Sequence, residues 1–433
     1  MRTGGPVTRR QKRSRAAATP PRRRVPALFV ALALVAGATL AGAAPADAAT
    51  WTRVAPGVTY RQYDLPAAAG TAHAHVLGVD LADSRVRLGL LYPGAMAARA
   101  TVSSLAGRQR AVAGVNGDFF DITETQHPGV AATGASVGPA VAGARALKGA
   151  VPQAQRFGPA PPPGTDTRAV VGVGTDGRAR LDSLTLRGSY TVEGRRMPLG
   201  GVNQYALPEN SVGAFTAEWG GVSRRRATCG SDGARAAPCS TSTYEVTLKR
   251  GRVVSASVTP GSGAIAAGST VLVGREAGAE RLKRLGAGQR VAVRYALRSA
   301  SRSVYRFAVG GFPVLSGGRP LAGLDASVSA VRTAVGIGDG GRRVFLFALD
   351  GAAPYRRGLT IAEVAVALRG LGATEGFSLD GGGSSTLVAR PPGAAAGVTV
   401  RNHPSDGAER PVANGIGVFV SRPGATGHRR RSR

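Results

Sequence analysis

The segment SLDGGGSSTL, at residues 378–387, has residue types and spacing suited to chemistry. Asp380 ends an apolar strand pattern, which would hold its carboxylate on a rigid element and expose it at the strand end. Glycines follow, and because glycine has no Cβ, a ligand can approach their backbone N–H groups closely. Consecutive amides can bind phosphate, and the hydroxyls of Ser384, Ser385 and Thr386 come next. The candidate ligand groups are Gly381, Gly382, Gly383, Ser384 and Ser385.

The bland alternative is a tight glycine turn beside a surface aspartate. A glycine-rich loop alone is weak evidence, and this one has neither the spacing of a P-loop nor that of a dinucleotide-binding fingerprint. The segment therefore needs partners from elsewhere in the chain before it predicts a site.

Three other segments supply carboxylates, amides and guanidinium groups near strand ends. VNGDFFD, RTAVGIGDGGRRVFLFALDG and HPSDGAERPVANG contain residue types that suit hydrolysis and phosphate binding, since the fork of an arginine matches phosphate geometry. Each segment alone is equally consistent with ordinary turn chemistry. The candidates are Asn116, Asp118, Arg332, Asp350, Arg410 and Asn414.

Strand and helix patterns surround these candidates. AVAGVN precedes Asp118, RRVFLFALDG ends in Asp350, and EGFSLD ends in Asp380, so each carboxylate follows an apolar strand. Between the last two strands, GLTIAEVAVALRGLGA has helical periodicity, and Thr360 with Glu363 predicts a capping box. The order strand, helix, strand predicts a mixed β-sheet with packed helices, and hence an α+β fold.

Residues 166–300 read as a β-rich central region, either a subdomain or a long insertion. The turns TDGR and KRGR are hairpin signals between strand patterns. Cys229 and Cys239 flank a polar loop, and they are the only cysteines of the chain. In an oxidising compartment we expect them to form a disulfide rather than a metal site, because two thiolates are too few ligands for zinc.

The first residues predict export. A basic stretch, an uncharged run and the Ala-Asp-Ala site at 46–48 follow one another as in a secretory signal peptide over residues 1–48. A membrane anchor is the alternative, but the small residues and cleavage site favour removal. We expect a secreted protein, with cell-wall association as a further option.

The charge of the 433-residue chain is +31. Residues 1–48 hold +8 and the basic tail, residues 422–433, expected to be disordered, holds +5, which leaves +18 for residues 49–421. Of the 56 basic residues 52 are arginine, a bias typical of a GC-rich genome, and aromatics are only 5%. Single-strand binding needs basic residues interleaved with stacking aromatics. The composition therefore argues against a nucleic-acid partner. No stretch after the signal peptide is apolar enough to span a membrane, so we expect no stable membrane insertion after signal cleavage.

Together the motifs NGDFF, GGFPVL, RTAVGI, ALDG, GLTIAEVAVAL, LDGGGSSTLV and PSDGAERPVANGIGV resemble, in this order, the phosphodiester glycosidase family. The resemblance covers roughly residues 100–130 and 305–420. It implies a catalytic domain in two parts, residues 49–165 and 301–421, and hydrolysis of a sugar C1–O bond whose leaving group is a phosphomonoester. The implied substrate is a sugar-1-phosphodiester of the N-acetylglucosamine-1-phosphodiester type in a phosphate-bearing glycan.

The resemblance also implies roles for the candidates. Arg332 with the amides and hydroxyls of 381–385 would hold the phosphate, and Asp380 or Asp118 would position water or stabilise an oxocarbenium-like centre. Asn116 and Asn414 would bind sugar hydroxyls or an acetamido group. Arg410 is either a second phosphate contact or an ion-pair partner of Glu409 or Asp406, and Asp350 is divided evenly between site and turn.

No cofactor is expected, although clustered aspartates permit a divalent metal. His73 and His75 share one face of a strand pattern, and we expect surface histidines there rather than a metal pair. A non-catalytic cell-wall or exopolysaccharide binding protein that uses the same cleft is the alternative function. Nothing in the sequence predicts the oligomeric state.

Overall fold

The alternating and apolar runs of the sequence form β-strands over most of residues 50–421, the part of the chain that this computed structural model describes. The predicted signal peptide and basic tail lie outside these residues. The helices are α1 (Val102–Gln109), α2 (Ala277–Lys283) and α3 (Ile361–Gly370). In the first half of the chain the strands are β1 (Thr52–Ala55), β2 (Val58–Ala67), β3 (Gly70–Asp80), β4 (Val86–Leu91), β5 (Ala113–Asn116), β6 (Ala140–Ala142), β7 (Arg145–Lys148), β8 (Ala169–Gly174), β9 (Ala179–Val192), β10 (Arg195–Pro198), β11 (Gly201–Val202) and β12 (Val212–Phe215). In the second half they are β13 (Thr243–Lys249), β14 (Arg252–Ser257), β15 (Ser269–Arg275), β16 (Val291–Ser299), β17 (Tyr305–Gly310), β18 (Phe312–Ser316), β19 (Arg319–Pro320), β20 (Thr333–Gly338), β21 (Arg343–Leu349), β22 (Glu375–Ser378), β23 (Leu387–Ala389), β24 (Thr399–Val400) and β25 (Gly415–Val420).

These strands form four sheets. The first has the order β1-β2-β3-β21-β20-β22-β18-β19, and the second β24-β23-β5-β25-β4. The third has the order β10-β9-β8-β17-β6-β7, with β16 paired to β9, and the fourth β11-β12-β15-β13-β14. Among the paired strands of residues 50–421, only β11 and β12 run parallel. The fold is therefore β-rich, with three short helices.

The prediction of a mixed sheet in the last third of the chain is wrong. The strands β21 and β22 on either side of α3 are not neighbours, because β20 lies between them and pairs antiparallel with both. The sequence order strand, helix, strand is the same for a parallel crossover and for this arrangement, so the pattern alone could not separate them. The α+β class likewise overstates the helical part of the molecule.

Helix α3 forms as its sequence predicts. Thr360 accepts a hydrogen bond from the Glu363 N–H over 3.1 Å, and Glu363 accepts one from the Thr360 N–H over 2.8 Å, so the capping box is confirmed. Val364 and Leu368 are buried in a core cluster with Phe347 of the first sheet. The helix thereby fixes the chain between β21 and β22, the strands that precede Asp350 and Asp380.

A second core cluster joins the opposite face of the first sheet to the second and third sheets. It contains Leu346 of β21, Val115 of β5, Ile416 of β25 and Val309 of β17. In the second sheet β5 pairs with both β23 and β25. An N-terminal strand is thus inserted between two C-terminal strands, which brings residue 116 beside residues 386 and 415.

The central region contains both predicted hairpins. Strands β8 and β9 meet across the turn at Asp176 and Gly177, and β13 and β14 across Arg250 and Gly251. Arg250 and Gly251 both have positive φ, at 50° and 73°, as the tightest hairpin turns require. Cys229 and Cys239 form the predicted disulfide. Among residues 50–421, no helix is long and apolar enough to cross a membrane.

Candidate functional site

Asn116 ends β5 and is fully buried. Its side-chain amide donates to the backbone carbonyl of Asp380 over 2.7 Å. Its Oδ1 accepts hydrogen bonds from the Thr333 hydroxyl at 2.8 Å and the Thr386 N–H at 3.1 Å. One side chain therefore joins the start of β20, the segment after β22 and the segment before β23, which belong to two sheets.

Asn414 completes the frame from the other side. Its carbonyl accepts a hydrogen bond from the Gly117 N–H over 2.9 Å, and its Oδ1 accepts one from the Asp118 N–H over 2.9 Å. A Cβ at Gly117 would collide with the Asn414 Oδ1, so this position requires glycine. The two asparagines hold the backbone on which the carboxylates stand.

Asp380 is fixed by its backbone and remains partly exposed. Its N–H donates to the Gly117 carbonyl over 2.9 Å, and its Oδ1 accepts a hydrogen bond from the Gly381 N–H over 3.0 Å. Burial raises the pKa of Asp380 to about 7, and the charge of Asp118 acts in the same direction, against the Gly381 N–H and the Arg410 charge. Asp380 is therefore a carboxyl that can hold or release a proton near neutral pH.

Asp118 lies deeper, with 1% of its surface exposed. Its Oδ2 accepts a hydrogen bond from the Gly138 N–H over 2.6 Å, while its Oδ1 has no hydrogen-bond partner among the described residues. Burial raises the pKa of Asp118, and the nearby Lys148 charge opposes this shift. A Cβ at Gly310 would collide with the carboxylate, so the space for Asp118 depends on that glycine.

Lys148 is the site residue that the sequence analysis missed. It is 1% exposed, and its ammonium donates to the carbonyls of Val137, Gly138 and Gly149 over 3.1, 2.8 and 2.6 Å. Burial lowers the pKa of Lys148, and the charge of Asp118 opposes that shift. The Lys148 ammonium and the Asp118 carboxylate thus contact the same residue, Gly138, through its carbonyl and its N–H respectively. The available signal was that Lys148 is one of only four lysines in a sequence with 52 arginines.

The glycine loop folds into a single turn of 3₁₀ helix over Gly382–Ser384. The Gly382 N–H donates to the Val331 carbonyl over 2.8 Å, and the N–H groups of Ser384 and Ser385 donate to the carbonyls of Gly381 and Gly382 over 3.2 and 3.1 Å. The Ser385 hydroxyl lies 3.0 Å from the Thr333 hydroxyl, to which it can donate. Several groups predicted to bind phosphate therefore have partners within the protein.

Arg410 lies against this turn. A Cβ at Gly383 would collide with both Arg410 and Asp406, so the glycine allows the ion pair to approach the loop. The two are joined by a 2.6 Å contact, and the Arg410 side chain is 31% exposed. Glu409 instead accepts a hydrogen bond from the Ser103 N–H over 3.0 Å. Arg410 is a partly solvated cation close enough to influence Asp380.

Arg332 is buried and has carbonyl partners. Its Nε donates to Leu359 over 3.0 Å and its Nη2 to Val328 over 2.6 Å. Burial lowers its pKa, an effect opposed by Asp325. Its guanidinium therefore ties the segment before β20 to the residues before α3.

Asp350 belongs to a neighbouring cluster of histidines. Its Oδ2 lies 3.2 Å from His75 Nε2 and 2.8 Å from His403 Nδ1, and its Oδ1 accepts a hydrogen bond from the Ala352 N–H over 2.7 Å. The expectation that His75 is a surface residue is wrong: it is 2% exposed, and burial lowers its pKa to about 4. Asn402 links the cluster to the glycine loop by donating to the carbonyls of Leu349 and Ser385.

Two further buried side chains, Trp219 and His127, lie outside this arrangement. Trp219 is fully buried and donates to the Val222 carbonyl over 2.9 Å, so it is a core residue rather than a sugar platform. His127 is buried beside Glu124 and lies 2.8 Å from the Ala237 carbonyl. Within residues 50–421 no three His, Cys, Asp or Glu side chains are grouped so as to hold a metal ion.

Residues 242–419 match the family model described as phosphodiester glycosidase, and no curated protein sequence matches the chain. A hypothetical protein from Synechocystis has a similar structure, with a TM-score of 0.64 and 18% identity over 86% of this chain and 64% of its own. This chain thus spans less than two thirds of that protein.

Two other solved structures are similar. One, from Burkholderia pseudomallei, is named as a candidate exported protein and has a TM-score of 0.61 and 22% identity over 81% of this chain and 74% of its own. The other is the zebrafish N-acetylglucosamine-1-phosphodiester α-N-acetylglucosaminidase catalytic domain, auto-inhibited by its pro-peptide, with a TM-score of 0.41 and 14% identity over 86% of this chain and 87% of its own.

Proposed function

Since residues 242–419 carry a phosphodiester glycosidase domain, we propose that this protein hydrolyses the sugar C1–O bond of a sugar-1-phosphodiester. The single observation that supports this most is the pairing of Asp118 with Asp380. Their backbones are joined through the Asp380 N–H and the Gly117 carbonyl at 2.9 Å, and the pKa values of both carboxyls are raised. Asp118 precedes the matched segment, so the site draws on both parts of the predicted catalytic domain.

The proposed reaction depends less on a general acid that protonates the leaving group than ordinary glycoside hydrolysis does. The leaving group is a phosphomonoester, whose second pKa is near ~6, whereas an alkoxide must be protonated as it departs. In the proposed step a water oxygen bonds to C1, and the C1–O bond breaks with its electron pair on the phosphate oxygen. The water proton passes to a carboxylate, and the products are a free sugar and a phosphomonoester.

Asp380 is the better candidate to touch the substrate, because it is partly exposed and Asp118 is not. The charge of Asp118 adds to the effect of burial in raising the pKa of Asp380, so Asp380 keeps its proton to higher pH while Asp118 is ionised. We assign to Asp380 the contact with water or with the charge that develops at C1. Asp118, which is buried, provides a second negative charge that acts on Asp380.

Arg410 is the better candidate for the phosphate. Its side chain is 31% exposed beside the glycine loop, and its charge already lowers the pKa of Asp380. Arg332, the first choice from sequence, has two of its nitrogens on backbone carbonyls. In this proposal Arg332 joins the segment before β20 to the residues before α3, Arg410 binds the anion, and Asn116 and Asn414 hold the frame.

The disulfide and the sequence of the first 48 residues support action outside the cell, where such a bond persists. The proposed substrate is then a phosphate-bearing glycan of the cell wall or its surroundings. The identity of its sugar is part of the proposal.

The test is a product assay on a panel of sugar-1-phosphodiesters, with and without a chelator. Release of free sugar and phosphomonoester by the wild type, and its loss by at least about 100-fold in Asp380→Asn, is expected for a group that acts in the transition state. Asp64→Asn, a substitution of an aspartate on β2 outside this frame, is the matched control. Binding of the substrates without turnover would replace the enzyme by a binding protein.

A further inference from the structure

The strands β10, β9 and β16 of the third sheet expose one face with a regular row of arginines. Side chains of a β-strand alternate between the two faces of the sheet, and directly paired residues share a face. Four residue pairs therefore lie on one face: Arg196↔Thr191, Arg294↔Ser189, Ala296↔Arg187 and Arg298↔Thr185. The opposite face contributes buried or half-buried apolar residues to a core cluster. We call the surface formed by Arg187, Arg196, Arg294 and Arg298 the arginine face.

Each row of paired residues across the strands of the arginine face contains one arginine. Rows on one face are two residues apart, which is about 7 Å, and the arginines alternate between strands along them. All four side chains are exposed, and none forms an ion pair with another described residue. Arg196 alone has a side-chain partner, the Ser189 hydroxyl at 2.9 Å.

Small and hydroxyl residues separate the arginines. Thr185, Thr191, Ala292 and Ala296 leave the surface flat, and none of the facing positions is acidic or aromatic. Asp182 points to the other face, where it binds Ser301 and Tyr305. Unpaired guanidinium groups in an open row attract a polymer of negative charges more strongly than a single small anion.

The arginine face continues into a groove of about 800 Å³. Thr191 and Ala292 of the face form one wall of it, and three exposed arginines, Arg252, Arg284 and Arg290, line the rest. Glu193 is the one acidic residue of the lining, and it accepts a hydrogen bond from Gln289 over 2.9 Å. Seven arginines thus border a continuous surface remote in sequence from Asp118 and Asp380.

We infer that the arginine face and its groove bind a polyanionic glycan or polyol chain with a phosphodiester in each repeat. Arginine forks suit phosphate, and the hydroxyls of Thr185 and Thr191 suit the polyol between phosphates. Single-stranded nucleic acid is the other polyanion, but its binding sites use stacking aromatics, which this face lacks. The inference that the polymer is a phosphodiester glycan or polyol rests on the proposed function, whereas the existence of the basic surface is independent of it.

The test measures binding rather than turnover. Purified poly(glycerol phosphate) is titrated into the wild type and into a variant with all four face arginines changed to glutamine, at about 50 and 200 mM salt. A matched control variant carries the same loss of charge at exposed arginines elsewhere, namely Arg53→Gln, Arg319→Gln, Arg342→Gln and Arg369→Gln. We expect the face variant to bind at least about tenfold more weakly, with a shallower salt dependence, and the control variant to bind nearly as the wild type does.

Equal weakening by the face and control variants would overturn the inference, since overall charge rather than this surface would then bind the polymer. Tighter binding of a single-stranded DNA oligonucleotide of equal charge would overturn it as well. Hydrolysis of a short soluble sugar-1-phosphodiester is measured in parallel and should be unchanged in the face variant. If no variant hydrolyses it, the proposed function fails while the binding result still decides the arginine face.

Discussion

The side-chain amide of Asn116 and the backbone carbonyl of Asp380 are joined by a 2.7 Å hydrogen bond across 264 residues of sequence. Asn116 is on a strand of the second sheet, and Asp380 lies two residues after the end of β22 in the first. The bond therefore sets the distance between two sheets at the point where both carboxylates stand. Every property of the proposed site depends on that junction.

Replacing Asn116 by leucine should damage both stability and activity. The change leaves the buried Asp380 carbonyl, Thr333 hydroxyl and Thr386 N–H without this partner. Each buried polar group left unpaired costs about 1–3 kcal/mol. We expect a clear loss in the free energy of unfolding by denaturant titration and at least about a tenfold fall in kcat. Gln62→Leu, at an exposed strand position, should change neither, and a fully active Asn116→Leu would contradict the role of the frame.

Asp380→Asn should make the protein more stable at pH 8 while abolishing turnover. The pKa of Asp380 is raised by burial to about 7 from an ordinary value near 3.8. Between these values the folded state binds more protons than the unfolded state, so the free energy of unfolding falls as pH rises through this window. Asparagine does not ionise, so the variant does not lose stability as the pH rises through this window. Its melting temperature should exceed that of the wild type at pH 8, and the two should become equal near pH 4.

Asp83→Asn is the opposite control. Arg85 lowers the pKa of Asp83 to about 2, so the folded state favours the charged form and the amide should give no gain at pH 8. An Asp380→Asn variant that is less stable than wild type at pH 8 would show that the carboxylate is satisfied when ionised.

Lys148→Met should move the pH dependence of the reaction. The Lys148 charge lowers the pKa of Asp118 against the effect of burial. Without the ammonium the carboxyl keeps its proton to higher pH, so the acidic limb of kcat/KM should shift upward. Lys148→Arg keeps the charge and should shift the limb less. The measurement is a pH profile of initial rates, and identical profiles for wild type and Lys148→Met would remove Lys148 from the site.

The two candidate phosphate arginines can be separated by comparing Arg410→Gln with Arg332→Gln. Arg410 is partly solvated and paired with Asp406, so its loss should raise KM and the inhibition constant of inorganic phosphate by about tenfold or more. Arg332 is held by the carbonyls of Val328 and Leu359, so its loss should mainly lower the melting temperature. The reverse pattern would return the phosphate to Arg332.

Local signals in the sequence were sufficient where short-range chemistry decides the structure. The capping box of Thr360 and Glu363, the hairpin at Arg250 and Gly251 and the disulfide of Cys229 and Cys239 are all confirmed. Each depends on a few residues close in the chain, whose preferred geometry is the same in most contexts.

Long-range pairing could not be read in the same way. Nothing in β21, α3 or β22 indicates that β20 lies between the two strands. The burial of His75 follows from Asp350 and from the sheet that covers it, both distant in sequence. Lys148 could not be identified as a site residue from the sequence, because its hydrogen-bond partners are backbone carbonyls, which every residue has.

The position of β25 has a consequence for synthesis of the protein. This strand, residues Gly415–Val420, lies between β4 and β5, and Asn414 just before it holds Asp118. A nascent chain that has emerged only as far as β24 has both aspartates but no partner for β4 and no Asn414 to set the second carboxylate. The proposed site would therefore be incomplete until the last strand, Gly415–Val420, is free to pair with β4 and β5.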